Sequence, residues 1–197
     1  MNTYEKLKIA LRYYLIGREY FRAADALEFA AEYHDGLRKD NVTPEFQHQI
    51  EITHYLRTLP SLSQPENTLI AGILHDTRED YDVSDNMIRM RFGDDVADAC
   101  ELLNKNGKTS EGYFDAIASN EIASIVKGGD RINNLQSMVG VFTIEKQLKY
   151  IVEVEHYFLP MLKKARRNFA RQEPAYENIK FMLTSQLELL KVINNQQ

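Results

Sequence analysis

Apolar residues recur at helical spacing along almost the whole chain. Tyr4, Leu7, Leu11, Tyr14 and Leu15 share one side of a helix predicted over 3–16. Ala23, Leu27, Ala30 and Ala31 form the inner side of a second helix over 22–34, which ends in the polar loop GLRKDNVTP. Phe46, Ile50, Ile52, Tyr55, Leu56 and Leu59 resume the pattern over 45–59, and Pro60 to Pro65 break it. From Thr68 to His75 nearly every residue is apolar or small, so 66–77 reads as a central helix buried on most sides. Shorter helices are predicted at 84–91, with Ser84 as N-cap, and at 94–104, 111–118 and 121–135. Thr143 caps a long helix with Glu145 in its first turn, running to about 169 and kinked or interrupted by Pro160. Pro174 starts a last helix over 175–193, whose apolar face is Tyr176, Ile179, Met182, Leu183, Leu187, Leu190 and Ile193. Glycine and proline are scarce, and no hairpin signal separates alternating runs. The expected fold is all-α: one domain over residues 1–197, built as a multi-helix bundle.

The 197 residues are enough for one buried core, and 44% hydrophobic with 27% charged residues is ordinary for a folded chain. A net charge of −5 argues against a nucleic-acid partner. The cluster of Lys163, Lys164, Arg166 and Arg167 reads as a solvated helix face. The single cysteine, Cys100, excludes an internal disulfide and a cysteine-rich zinc site, and its apolar neighbours make it a buried structural thiol. Charges interrupt the N-terminal stretch too often for a signal peptide, and no apolar run reaches membrane-spanning length. A cytoplasmic protein without a membrane partner is therefore expected.

The chemistry concentrates at the end of the apolar helix. His75-Asp76 sits where unpaired polar groups are costly, and imidazole nitrogen with carboxylate oxygen suits a divalent ion such as Mn²⁺, Fe²⁺ or Zn²⁺. Glu79 and Asp80 follow one helical turn later, on the faces of His75 and Asp76 respectively. In VKGGDRINNL, Asp130 follows two glycines that allow close backbone approach. His34, His48 and His54 are all candidates to complete a ligand set, and spacing alone does not choose among them.

The ordered strings YHDGLRKDNVTPEFQH, ILHDTRED, FGDDV and KGGDRINNL, followed by HYFLPMLKKA, resemble the hydrolase domain of the RelA/SpoT family and its stand-alone small alarmone hydrolases. The resemblance covers about 20–170 and leaves the last helix, 175–193, outside it. It implies an HD-type bundle and a metal-dependent phosphohydrolase that removes the 3′-pyrophosphate from guanosine tetra- or pentaphosphate. It also implies a hydrolase without an accompanying synthetase domain. The residues it implies as metal ligands are His48, His75, Asp76 and Asp130, holding one divalent ion, Mn²⁺ foremost. Glu79 and Asp80 fall on the catalytic acidic pair, and Arg38, Lys39, Asn134 and Ser137 on the nucleotide pocket. His34 matches a family position that is not a ligand.

This chain departs from the family pattern in KGGD for K-L-A-D, in Asn133 for a common histidine, and in Glu45 beside Pro44. The stretch between Asp76 and Asp130 is also shorter. These changes bear on the identity of the nucleotide and leave the ligand set intact. The alternatives are the same chemistry on a dNTP, a nucleoside monophosphate or NADPH, or a non-catalytic nucleotide sensor, which would not need Glu79 and Asp80. The apolar face of 175–193 is open to packing on the core or to a homodimer contact.

Overall fold

In a computed structural model of the chain, the described residues are 3–38, 40–81, 83–105, 107–108 and 110–195. Helices follow one another as α1 (Thr3–Gly17), α2 (Phe21–Ala31), α3 (Gln47–Leu56), α4 (Pro65–Leu74), α5 (Thr77–Asp80) and α6 (Asp85–Phe92). They continue with α7 (Asp94–Leu103), α8 (Ser110–Ile117), α9 (Glu121–Ser137), α10 (Ile144–Glu153), α11 (Leu159–Asn168) and α12 (Glu173–Asn195). Among the described residues, extended pairing is limited to an isolated bridge between Leu37 and Pro44. The all-α expectation holds.

The apolar helix is the centre of the bundle. From Thr68 to Leu74 every residue of α4 is buried, and the helix packs against α2, α3, α7 and α9. Two glycines let the helices around it close up. A β-carbon on Gly72 of α4 would stand 2.7 Å from Leu56 Cδ1, and one on Gly129 of α9 would stand 2.9 Å from Leu56 Cδ2. Leu56 of α3, fully buried, is thus gripped between α4 and α9. This contact brings the three helices carrying His48, His75 and Asp130 within side-chain reach.

Several boundaries differ from the sequence reading. The central helix ends at Leu74 and restarts as α5, because the His75 ring nitrogen Nδ1 takes the Gly72 carbonyl at 2.9 Å. The helix expected to reach residue 34 ends at Ala31, which places His34 in the following loop. The long helix is interrupted by a π-turn at Val154–Phe158 just before Pro160. Proline has no N–H and its ring crowds the carbonyl four residues back, so the widened turn accommodates it. Thr143 and Ser84 cap as expected, each accepting from a backbone N–H three residues on.

Of the two options for the last helix, its apolar face packs on the core. Ala175, Tyr176, Ile179, Leu183, Leu187 and Leu190 are buried, α12 lies along α9, and the Tyr176 hydroxyl is 2.9 Å from Ser124 Oγ. No described helix is long and apolar enough to cross a membrane. Cys100 is fully buried, and burial pushes its thiol up to about 12. The folded protein is therefore expected to react with no thiol reagent at pH 8 and to titrate one equivalent after unfolding. Fast labelling of the native chain would contradict this environment.

Candidate active site

Three helices converge on one point. His48 is the second residue of α3, His75 and Asp76 follow the last turn of α4, and Asp130 lies mid-way along α9. His48 Nε2 is 3.3 Å from Asp130 Oδ1 and 3.7 Å from Asp76 Oδ2. His75 Nε2 is 3.2 Å from Asp76 Oδ2 and 3.9 Å from Asp130 Oδ1. Ligand-type atoms of His48, His75 and Asp76 all lie within 4.8 Å of one another.

The surroundings aim both imidazoles. A carbonyl oxygen only accepts, so His75 Nδ1 donates its proton to Gly72 and turns Nε2 to the cluster. That Nε2 is buried without a well-aligned hydrogen-bond partner. Asn133 does the same for His48: its amide nitrogen donates to Glu51 Oε2 at 2.7 Å, so its oxygen faces His48 Nδ1, also at 2.7 Å. Asp130 accepts from Lys127 Nζ at 3.0 Å and from the Asn134 amide, and Asp76 accepts from Gln49 Nε2 at 3.3 Å. Such outer partners fix ring orientation and carboxylate position in metal sites.

Electrostatics match this arrangement. Burial opposes a charge on His75, but Asp76 and Asp130 outweigh it and lift the imidazole to about 9. Burial also opposes ionisation of Asp76, and the charge and hydrogen bond of His75 overcome it, bringing the carboxyl down to about 2. Asp130 is held well below the usual carboxylate range against its burial, first by Lys127 and then by the two histidines.

The cluster opens into a cavity of about 850 Å³. Asp40, Glu45, Glu51, Asp76, Asp80 and Asp130 line it, against the fixed cations Arg38 and Lys127 among its described walls. A phosphate entering there needs further positive charge, and the buried His75 Nε2, facing Asp76 and Asp130, marks where a divalent ion fits. Two imidazoles and two carboxylates suit Mn²⁺, Fe²⁺ or Zn²⁺.

Other residues singled out by sequence fall around this cavity. Arg38 reaches Asn133 Oδ1 and Ser137 Oγ at 3.4 Å each, and Asn134 and Ser137 are on the wall. Asp80 lines the mouth. Lys39 and the side chain of Glu79 lie outside the described residues. The other histidines are occupied elsewhere. His34 is buried, with Nε2 3.2 Å from Thr77 Oγ1, and His54 Nε2 is 2.7 Å from the Leu7 carbonyl. His156 is exposed.

Sequence reasoning missed the supports. Lys127 and Asn133 stood inside a quoted motif without a role, whereas Gln49, Phe142 and Tyr150 carried no signal. Arg131, next to Asp130, turns away from the cluster. Its guanidinium lies between the rings of Tyr150 and Phe158, at 4.4 and 4.3 Å, and pairs with Glu153 at 2.6 Å. It thereby holds Tyr150, which lines the cavity and meets Phe142 edge-on.

Residues 26–113 match the family described as HD domain, and the His75-Asp76 pair lies within the match. More particularly, the chain resembles the hydrolase part of RelA/SpoT proteins. It is 31% identical over 145 residues to guanosine-3′,5′-bis(diphosphate) 3′-pyrophosphohydrolase of Aquifex aeolicus, covering 69% of this chain and 20% of that protein. It is 27% identical over 158 residues to a GTP pyrophosphokinase of Streptomyces antibioticus, covering 75% and 18%. The chain thus spans about a fifth of the length of these curated relatives. Among solved structures, a metazoan ortholog of SpoT that hydrolyses ppGpp superposes with a TM-score of 0.62 at 22% identity. That match covers 80% of this chain and 93% of the other, and it establishes the shared fold.

Proposed function

We propose that this protein is a metal-dependent phosphohydrolase that removes the 3′-pyrophosphate from guanosine tetra- or pentaphosphate. The observation that carries the reading is the meeting of His48, His75, Asp76 and Asp130, from three separate helices, at the floor of a nucleotide-sized cavity. The likeness to relatives named as 3′-pyrophosphohydrolases supports the choice of substrate.

In this reading the four residues hold one divalent ion, Mn²⁺ foremost, with Fe²⁺ or Zn²⁺ as alternatives. When bound, it supplies Lewis acidity to a phosphate oxygen and acidifies water. Asp80, with Glu79, orients the attacking water and takes its proton. Arg38 stabilises charge on the phosphates by planar, bidentate contact, and Lys39 adds a point charge. Asn134 and Ser137 face the nucleotide, and Asn134 also keeps Asp130 in place through its amide. Tyr150 and Phe142, also on the cavity wall, give the base an aromatic surface to pack against.

The test is product analysis with and without Mn²⁺ on guanosine tetraphosphate, beside NADPH and a set of dNTPs, with Asp76→Ala as control. Mn²⁺-dependent release of pyrophosphate from the tetraphosphate, lost in the control, is expected. Turnover of another nucleotide alone would keep the metal chemistry and discard this substrate. Absence of turnover in metal-loaded protein would leave a nucleotide sensor.

Metal uptake should depend on pH in a defined direction. In the metal-free protein His75 is protonated up to about 9, and a divalent ion must displace that proton. Affinity is therefore expected to rise by up to about tenfold per pH unit toward 9 and then to level, with one proton released per ion below it. Calorimetry in buffers of different ionisation enthalpy reads the proton directly. A pH-independent affinity between 6 and 8 would show that the ion displaces no proton from His75.

A further inference from the structure

A second cavity lies at the opposite ends of the two helices that lead to His48 and His75. Arg57 follows the last residue of α3, and Pro65 is the first of α4, so this cavity stands about ten residues from the His/Asp cluster. At 1.5 Å per residue that is roughly 15 Å along the helix axes. Its volume is about 340 Å³, and its walls include Tyr14, Arg18, Tyr20, Arg57, Leu62 and Leu69.

The charge on these walls has one sign. Among the described residues no Asp or Glu lines the cavity. Arg22, Arg78, Arg89, Arg91 and Arg131 each hold a carboxylate within 4.0 Å. Arg18 and Arg57 hold none among the described residues, and they share one cavity. Arg57 Nε is shielded from solvent and has no hydrogen-bond partner, a position that costs free energy unless an acceptor arrives. Both guanidiniums are oriented by tyrosines: Arg57 lies over the Tyr14 ring at 4.8 Å, and Arg18 lies 5.5 Å from the centre of the Tyr20 ring and donates to its hydroxyl at 3.4 Å. The N-terminus of α4 adds the positive end of a helix dipole, with Pro65 at its start and no side-chain cap from Gln64. The acid of that first turn, Glu66, is turned away to Arg22.

Two arginine planes suit a phosphate, whose oxygens accept paired N–H groups. The tyrosine rings and the leucines beside them suit a flat apolar group. The volume stands at the lower end of the roughly 300–1,000 Å³ of small-ligand pockets, which fits one nucleotide and not a dinucleotide. We propose that this cavity is a second ligand site, taking a mononucleotide-sized organic phosphate whose phosphate is held by Arg18 and Arg57. The site is separate from the hydrolytic cavity and does not depend on the substrate assigned there.

The experiment is calorimetric titration of the full chain in EDTA with GMP, and in parallel with inorganic phosphate. GMP is expected to bind, with affinity at least about tenfold weaker in Arg57→Met and in Arg18→Met, since each loses a charge-assisted contact. Both variants keep an apolar stem against the tyrosines, Arg18 is solvent-exposed in any case, and thermal melting identifies any variant that fails to fold. The Arg38→Ala variant, altered in the large cavity, should bind GMP within about twofold of the parent. Inorganic phosphate alone should bind at least about tenfold more weakly than GMP, because it lacks the ring. Loss of binding in Arg38→Ala with retention in Arg57→Met and Arg18→Met would place the nucleotide in the large cavity and overturn the proposal. So would absence of GMP binding up to about 5 mM, a free energy too small for a built site. Equal affinity for phosphate and GMP would overturn the organic part of the ligand. Pyrophosphate release from guanosine tetraphosphate, assayed on Arg18→Met, reads the hydrolytic site separately.

Discussion

Replacing His75 with alanine is expected to abolish turnover while leaving the helices in place. The ring is anchored through Nδ1 to the Gly72 carbonyl and presents Nε2 to Asp76 and Asp130. Removing it deprives the proposed ion of a ligand and releases the electrostatic hold on Asp76. Several kcal/mol of transition-state stabilisation go with the ion, so kcat/KM should fall by about a thousandfold or more. Bound metal, read by native mass spectrometry, should fall in parallel. The control is His156→Ala, which removes an exposed imidazole bonded only to the Val152 carbonyl and should stay within about twofold of the parent. Activity in His75→Ala above a tenth of the parent, or an equal loss in His156→Ala, would move the reaction away from the His/Asp cluster.

The second large effect is on stability, at a residue that touches no substrate. Gly72→Val places a branched side chain against Leu56, whose Cδ1 already lies 2.7 Å from where a β-carbon would stand. Leu56 has no room to yield, because Gly129 of α9 presses on its other methyl. Overpacking of this kind costs about 1–3 kcal/mol, and a chain of this size should melt about 2–4 °C lower per kcal/mol lost. Leu56→Ala alone should cost about 2–5 kcal/mol through the cavity it leaves. The double variant should be more stable than the sum of the two losses predicts, by about 1 kcal/mol or more, since each change makes room for the other. Strict additivity would mean that the three helices do not meet through Leu56.

The helices themselves were largely legible, because a period near 3.6 in apolar positions reports which face of a segment is buried. The exceptions lie where a particular side chain overrides the period. His75 diverts a helical carbonyl at the end of α4, and Pro160 forces a π-turn between α10 and α11. The acidic residues of the site were also legible, since His75-Asp76 and Asp130 stand out against apolar surroundings in an ordered set of motifs. The roles of Lys127, Asn133 and Arg131 were not: Lys127 pairs with Asp130 one turn on only because both are buried together, Asn133 meets His48 far along the chain, and Arg131 turns to Tyr150 on another helix.

By itself, then, the sequence determined an all-α bundle with a buried apolar helix, an acid-rich end to that helix and a core-facing C-terminal face. The tertiary structure decided which groups meet. Three histidines were available to complete the cluster: His34 went to Thr77, His54 to the Leu7 carbonyl, and His48 alone came to lie beside Asp76 and Asp130. His54 is six residues beyond His48 on the same helix, and at about 100° per residue it points to a different face. Periodicity records the faces of each helix separately. The choice among those faces is made by close packing, here of Gly72 and Gly129 around Leu56, which sets α3, α4 and α9 near enough for His48, Asp76 and Asp130 to meet.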